Sequence, residues 1–147
     1  MLHCFVVASY DSGMPKRGKL ISNGVRQEDL EKKSTKFLVD YGFTVELIVP
    51  SSTAQNKNPD LLLEGKIWEL KTPITGSKKT LRRRLKQADK QSENIIIDLR
   101  FAKISGEIAI NIIKHEASLL NGVRRLIIIG KNEEVLRLEK KKGKIAI

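Results

Sequence analysis

Residues 59–71, Pro-Asp-Leu-Leu-Leu-Glu-Gly-Lys-Ile-Trp-Glu-Leu-Lys, constrain this chain more than any other stretch. Two apolar runs, residues 61–63 and 67–70, flank Glu64-Gly65, and a Gly in a two-residue connection is a strong short-range signal for a β-hairpin. With Leu63 opposite Lys66, the register sets Asp60 directly across from Glu69, their Cβ atoms roughly 5 Å apart. Two carboxylates that close can share one divalent cation. Without a cation or another partner they repel, because like charges directly opposite destabilise a sheet. Lys71, two residues beyond Glu69, points from the same face, whereas Trp68 points from the other face toward a core. Asp60 and Glu69 are therefore candidate metal ligands, with Lys71 a cation held beside them.

Charge says what such a site would meet. The 147 residues carry 28 Lys and Arg against 17 Asp and Glu, a formal charge of +11. That balance favours a polyanionic partner, since neutralising phosphates releases condensed counterions and steers association. Membrane binding is disfavoured: no basic amphipathic stretch carries exposed aromatic anchors, and the apolar residues 2–8 are too short to span a bilayer and have no basic stretch before them. The single cysteine, Cys4, forms no intrachain disulfide, and no Cys/His cluster has zinc-finger spacing. A cytoplasmic site of action is the expectation.

The length predicts one domain, residues 26–147, preceded by an N-terminal arm and basic lead over residues 1–25, with a short strand around Phe5-Val6-Val7. Leu30, Phe37, Leu38 and Tyr41 recur at helical spacing over residues 27–41, and Gly42 stands where a helix end wants a residue tolerant of positive φ. Residues 43–49 alternate with a period of two, as in a half-buried strand. A polar loop, residues 50–58, leads to Pro59 and the hairpin. Ser77 can cap a helix running to about Ser92, with Leu81, Leu85 and Ala88 on one face and Lys78, Lys79, Arg82, Arg83, Arg84, Lys86 and Lys90 on the other. So many cations in one helix beside a carboxylate hairpin suit a phosphate track, which Arg100 and Lys103 would extend. Ile95-Ile96-Ile97 predicts a strand covered on both faces. Ser105 can cap a helix whose stripe is Ile108, Ile112, Ile113, Leu119 and Leu120. Residues 124–129 and 135–138 predict two more strands, and residues 140–144 a solvated basic tail. His115, in the last long helix, has a structural place, and His3 lies in the arm. The inferred order, α-β-β-β-α-β-α-β-β, is an α/β layered fold with a mixed central sheet flanked by helices.

That order, with Pro59-Asp60 and Glu69-Leu70-Lys71 on the hairpin, resembles the PD-(D/E)xK nuclease superfamily, whose core is an α-β-β-β-α-β unit. A narrower resemblance runs from Leu30 to about Ile129. Phe37-Leu38 with Tyr41-Gly42-Phe43-Thr44-Val45-Glu46, then Lys57-Asn58-Pro59-Asp60, Gly65-Lys66-Ile67-Trp68-Glu69-Leu70-Lys71-Thr72-Pro73 and Ile95-Ile96-Ile97-Asp98-Leu99 look like the C-terminal tRNA-cleaving toxin domains of contact-dependent growth inhibition (CdiA-type) proteins. The resemblance implies a metal-dependent endonuclease acting on tRNA, delivered between cells as a toxin module and restrained by a cognate immunity protein. It adds the Leu70 carbonyl as a third metal ligand, Glu31 on the first helix as an outer catalytic group, and Gln87 as a supporting polar residue. The first helix departs from relatives in having Lys33 where they often have a second acid.

Phosphodiester hydrolysis needs an activated water, neutralisation of charge on the phosphoryl oxygens and help for the leaving oxygen. A carboxylate-bound divalent cation serves all three needs, and Mg²⁺, or Mn²⁺, suits hard oxygen ligands. Lys71, beside two carboxylates, stays charged and fits stabilising developing negative charge. The same motif serves DNA cleavage in restriction enzymes, resolvases and repair nucleases, so a DNA endonuclease is the alternative. A non-catalytic nucleic-acid binder is the third reading, though a binder gains nothing from two acids in a basic cleft.

Overall fold

The computed structural model describes the backbone of residues 5–9 and the chain in full over residues 16–50 and 60–141. His3, Cys4, the Lys57-Asn58-Pro59 lead into the hairpin and residues 142–147 of the basic tail lie outside the described residues.

The strands are β1 (Phe5–Ser9), β2 (Leu20–Ile21), β3 (Val45–Leu47), β4 (Leu61–Leu63), β5 (Lys66–Lys71), β6 (Asn94–Asp98), β7 (Arg125–Ile129) and β8 (Val135–Lys140). The helices are α1 (Asp29–Tyr41), α2 (Lys78–Asp89) and α3 (Gly106–Leu119). From α1 onward the order is the one the periodicities predict. The short strand expected around Phe5-Val6-Val7 forms as β1 against β8, and the basic lead adds a further strand, β2 against β3. Both edges of a single eight-stranded mixed sheet, ordered β1-β8-β7-β6-β5-β4-β3-β2, thus come from the N-terminal residues.

The hairpin forms in the predicted register, Leu63 against Lys66 and Leu61 against Trp68. Its turn residues, Glu64 and Gly65, have φ of 52° and 75°, as a type I′ connection requires. Trp68 Nε1 donates to the Leu63 carbonyl at 3.0 Å, so the indole satisfies its polar handle while its ring fills the core. β5, β6 and β7 run parallel through the centre, where Ile95, Ile96, Ile97, Ile127 and Ile128 are shut off on both faces.

Each sheet face has its own core. On one, Leu38, Val45, Leu61, Leu63, Trp68, Leu70, Ile96 and Ile127 pack under α1. On the other, Ile95, Ile97, Leu126 and Ile128 pack under α2 and α3 through Leu81, Leu85, Ala109 and Ile113. Strand alternation therefore places Glu69 and Lys71, paired with Ile95 and Ile97, on the α2 face. α1 ends at Gly42, whose φ of 125° turns its N–H back onto the Leu38 and Val39 carbonyls. α2 begins at Ser77, whose hydroxyl accepts from the Thr80 N–H at 3.2 Å, and ends at Asp89, short of the Ser92 expected.

Two expectations are corrected. The buried stripe of α3 is Ala109, Ile113, Glu116 and Ala117, while Ile108 and Leu119 are 41% and 50% exposed. Alanines at the sheet contact let the helix approach closely, so the larger residues beside them turn outward. Lys140 ends β8 rather than starting a solvated tail: it is 9% exposed and its Nζ donates to the Leu120 carbonyl at 2.6 Å.

Candidate functional site

Asp60 stands at the mouth of the hairpin, one residue before β4. Its N–H donates to the Trp68 carbonyl at 3.1 Å, and its Oδ2 accepts from the Leu70 N–H at 2.8 Å. The carboxylate thus takes the place of a strand partner at the point where β4 has ended. In an extended strand the N–H and C=O of one residue point to the same edge, so the Leu70 carbonyl also faces Asp60.

Glu69 is only 4% exposed. Its Oε1 lies 3.3 Å from Lys71 Nζ, and its Oε2 is buried with no hydrogen-bond partner among the described residues. Burial, then the Asp60 charge, pushes its carboxyl up to about 7 against the pull of Lys71. Glu31, in the first turn of α1, is brought to the same place: burial and the Asp60 charge raise its carboxyl, and Lys71 lowers it. Asp60, Glu69, Lys71 and Glu31 therefore form one electrostatically linked group from three elements that the sheet brings together.

An isolated buried carboxylate oxygen costs several kcal/mol unless something neutralises it. Asp60 and the Leu70 carbonyl beside it offer hard oxygens near Glu69, which fits a small divalent cation with water completing its shell. The set is a carboxylate pair plus backbone; among the described residues no group of three or more His, Cys, Asp and Glu side chains converges as a metal cage.

The other predicted residues fall into three groups. Lys78, Lys79, Arg82, Arg83, Lys90 and Lys103 are exposed, the first two in the opening turn of α2. Lys86 is exposed but paired with Glu116 of α3 at 3.8 Å. Arg100 is committed elsewhere. Its guanidinium grips Asp98, with Nη2–Oδ2 at 2.8 Å, donates to the Lys33 carbonyl at 3.1 Å, and stacks on Phe37 and Phe101. Those contacts leave little of it for phosphate. Gln87 is exposed on α2, with no side-chain contact to the acids. His115 is exposed on α3 rather than packed within it.

Sequence reasoning missed the Asp98 clamp. Asp98 and Ser34 are both fully buried, and Ser34 Oγ donates to Asp98 Oδ2 at 2.6 Å, tying α1 one turn beyond Glu31 to the end of β6. The signal was present: a charged residue closing an isoleucine run in a doubly covered strand must find partners.

The sequence profile of the contact-dependent growth inhibition CdiA C-terminal domain matches residues 57–135, more than half of the chain. The chain belongs to that family. The match takes in Asp60, Glu69, Lys71, all of α2 and Asp98, and leaves Glu31 outside. Among solved structures, the CdiA-CT/CdiI toxin and immunity complex from Burkholderia pseudomallei is similar to this CdiA C-terminal domain with a TM-score of 0.61. The similarity covers 83% of this chain and 99% of that one at 20% identity, so it speaks for the shared fold. No curated protein matches at a significant level.

Proposed function

We propose that this CdiA C-terminal domain is a toxin of the PD-(D/E)xK nuclease type, a divalent-metal-dependent endoribonuclease acting on tRNA in the cytoplasm of a target cell. The observation that carries the reading is Glu69 Oε2, buried without a partner beside a second acid in a molecule of charge +11. A fold has no structural reason to set two carboxylates together in that position, and a cation offsets both their repulsion and their burial.

Asp60, Glu69 and the Leu70 carbonyl would hold Mg²⁺ or Mn²⁺. When bound, such a cation supplies Lewis acidity and lowers the pKa of water. Lys71, anchored by Glu69 at 3.3 Å and 20% exposed, directs its ammonium at the non-bridging phosphoryl oxygens as their charge grows. Glu31 enters from α1 and orients water. Lys78 and Lys79 occupy the first turn of α2, where the helix dipole disfavours cations and where acidic residues are absent. That local cost has a purpose if a phosphate backbone lies across the helix end, which itself attracts anions.

The solved fold relative is a toxin bound to its immunity protein, and this chain's excess positive charge suits an acidic partner of the same kind. The test is incubation of purified protein with total tRNA, total RNA and plasmid DNA, each with Mg²⁺ and with EDTA. Discrete tRNA fragments that appear only with Mg²⁺ are expected. Cleavage of DNA alone would overturn the tRNA assignment, and no cleavage of any substrate would overturn the enzyme.

A further inference from the structure

The cations of α2 are not one uniform stripe. Leu81, Leu85 and Ala88 are buried and fix the rotation of the helix on the sheet. Lys86 pairs with Glu116 of α3, and Asp89 packs against Gly122 just beyond α3, so close that a Cβ there would lie 2.7 Å from the carboxylate. The flank carrying Arg82, Lys86 and Asp89 therefore faces α3. At about 100° per residue, Thr80, Arg84, Gln87 and Gln91 form the opposite flank.

α2 lies over β5 and β6 with α3 beyond it over the β6–β7 side, so that opposite flank looks across β5 toward β4. Glu69 and Lys71 rise from this same sheet face. The level of each residue follows from one fixed contact: Ser92 Oγ donates to the Ile67 carbonyl at 3.1 Å, three residues past the end of α2, where the Gln91 and Ser92 N–H groups still bond the Ala88 carbonyl and carry the helical rise on. Counting back from Ser92, Arg84 lies roughly 12 Å along the helix. Counting forward from Ile67, Lys71 lies roughly 13 Å along the strand. Arg84 and Lys71 are thus level across the gap between helix and hairpin. Gln91 on the same flank has a buried Oε1 without a partner, a second unsatisfied oxygen near this seam.

Among the α2 cations, Arg84 stands alone on this flank. It is exposed and forms no ion pair with an acid among the described residues. Its planar fork binds phosphate bidentately, which an ammonium cannot do.

Resting on the nuclease reading, we infer that Arg84 is a catalytic residue that grips the scissile phosphate from the α2 side, opposite Lys71, while the other α2 cations hold the flanking backbone. The phosphate would then sit between two cations, with the carboxylate pair beneath.

The test is steady-state tRNA cleavage by the full chain and its Arg84→Ala, Arg84→Lys and Lys114→Ala variants, with thermal melts to confirm folding. Lys114, exposed on α3, controls for the loss of one charge. Arg84→Ala is expected to lower kcat about 10- to 100-fold with KM moved less than about threefold, as for loss of one transition-state donor. Arg84→Lys restores part of the loss and Lys114→Ala none is lost. If wild type cleaves and Arg84→Ala either matches Lys114→Ala or raises KM alone, the assignment of Arg84 falls and the nuclease stands. If wild type cleaves nothing, both fall together.

Discussion

Replacing Glu69 by Gln removes a charge from the centre of the molecule while keeping its shape, and the cation-free protein should become more stable for it. Glu69 has its carboxyl pushed from 4.5 up to about 7, chiefly by burial and then by Asp60. Ionising it in the fold therefore costs about 3 kcal/mol more than ionising it in the unfolded chain. The sign follows from proton counting. Between those two values the folded state binds more protons than the unfolded state, so stability falls as pH rises from 4.5 through 7 and is level above that. Glu31, also raised by burial and by Asp60, adds in the same direction.

In EDTA at pH 8, Glu69→Gln should melt about 5–10 °C above wild type, given roughly 3 °C per kcal/mol for a chain of this size. At pH 4.5 the two should melt together. Millimolar Mg²⁺ at pH 8 should close most of that gap, because a ligand at about 100 times its Kd stabilises by ~2.7 kcal/mol and only wild type keeps the full carboxylate pair. Differential scanning calorimetry over pH 4.5–8.5, with and without Mg²⁺, reads all three outcomes. Wild type and variant melting in parallel across that range would refute the reasoning, and so would a variant less stable than wild type at pH 8 in EDTA.

Asp60→Ala and Lys71→Ala should each lower the tRNA cleavage rate by about three orders of magnitude or more while leaving the tRNA dissociation constant, measured by filter binding at fixed salt, within about fivefold. A parallel collapse of binding would make those residues structural. Arg100→Met strands the fully buried Asp98 charge, and a loss of about 3–5 kcal/mol is expected in urea unfolding. A loss below about 1 kcal/mol would mean water reaches Asp98. Gly18→Ala would set a Cβ 1.9 Å from the Phe43 carbonyl oxygen, so residues 16–25 must lift from α1 and β3. Hydrogen exchange should then rise at Gly18, which now donates to the Val39 carbonyl at 2.8 Å, and unchanged protection there would contradict the contact.

What the sequence revealed is local in origin. The hairpin register was legible because a two-residue turn with a Gly dictates the pairing of everything beside it, and Leu63 meets Lys66 as expected. α1 and α2 were legible from their periodicity and ends, Gly42 and Ser77. β2 was not, because two exposed residues carry no periodicity; its existence depends on the backbone of β3 and on the close approach at Gly18. The parallel alignment of β5, β6 and β7 also has no local signal, since it joins residues far apart in the chain. At the site, the nearness of Asp60 to Glu69 was legible from the hairpin register, but the burial that leaves Glu69 Oε2 without a hydrogen-bond partner was not, since it depends on elements far apart in the chain. Arg100 shows the same limit from the other side. Composition made it one cation of a track, whereas Asp98, Phe37 and Phe101 make it a bracket for α1.

That bracket bears on how the site is assembled. Glu31 comes from a helix on the opposite sheet face to Glu69 and Lys71, so no hairpin geometry can place it. Ser34 and the Lys33 carbonyl, within one turn of Glu31, are tied to Asp98 and Arg100 at the end of β6. β6 in turn is aligned with β5 through Ile95 opposite Glu69 and Ile97 opposite Lys71. A chain of two strands and one buried ion pair thus sets the distance from Glu31 to the carboxylate pair. The sheet centre, apolar on both faces, provides the rigidity, and the linked acids with Lys71 gather where β5, β6 and α1 meet. This division explains how a molecule of charge +11 tolerates its most costly acids: the stiff isoleucine core holds them in place, and the surrounding cations set a positive field around them.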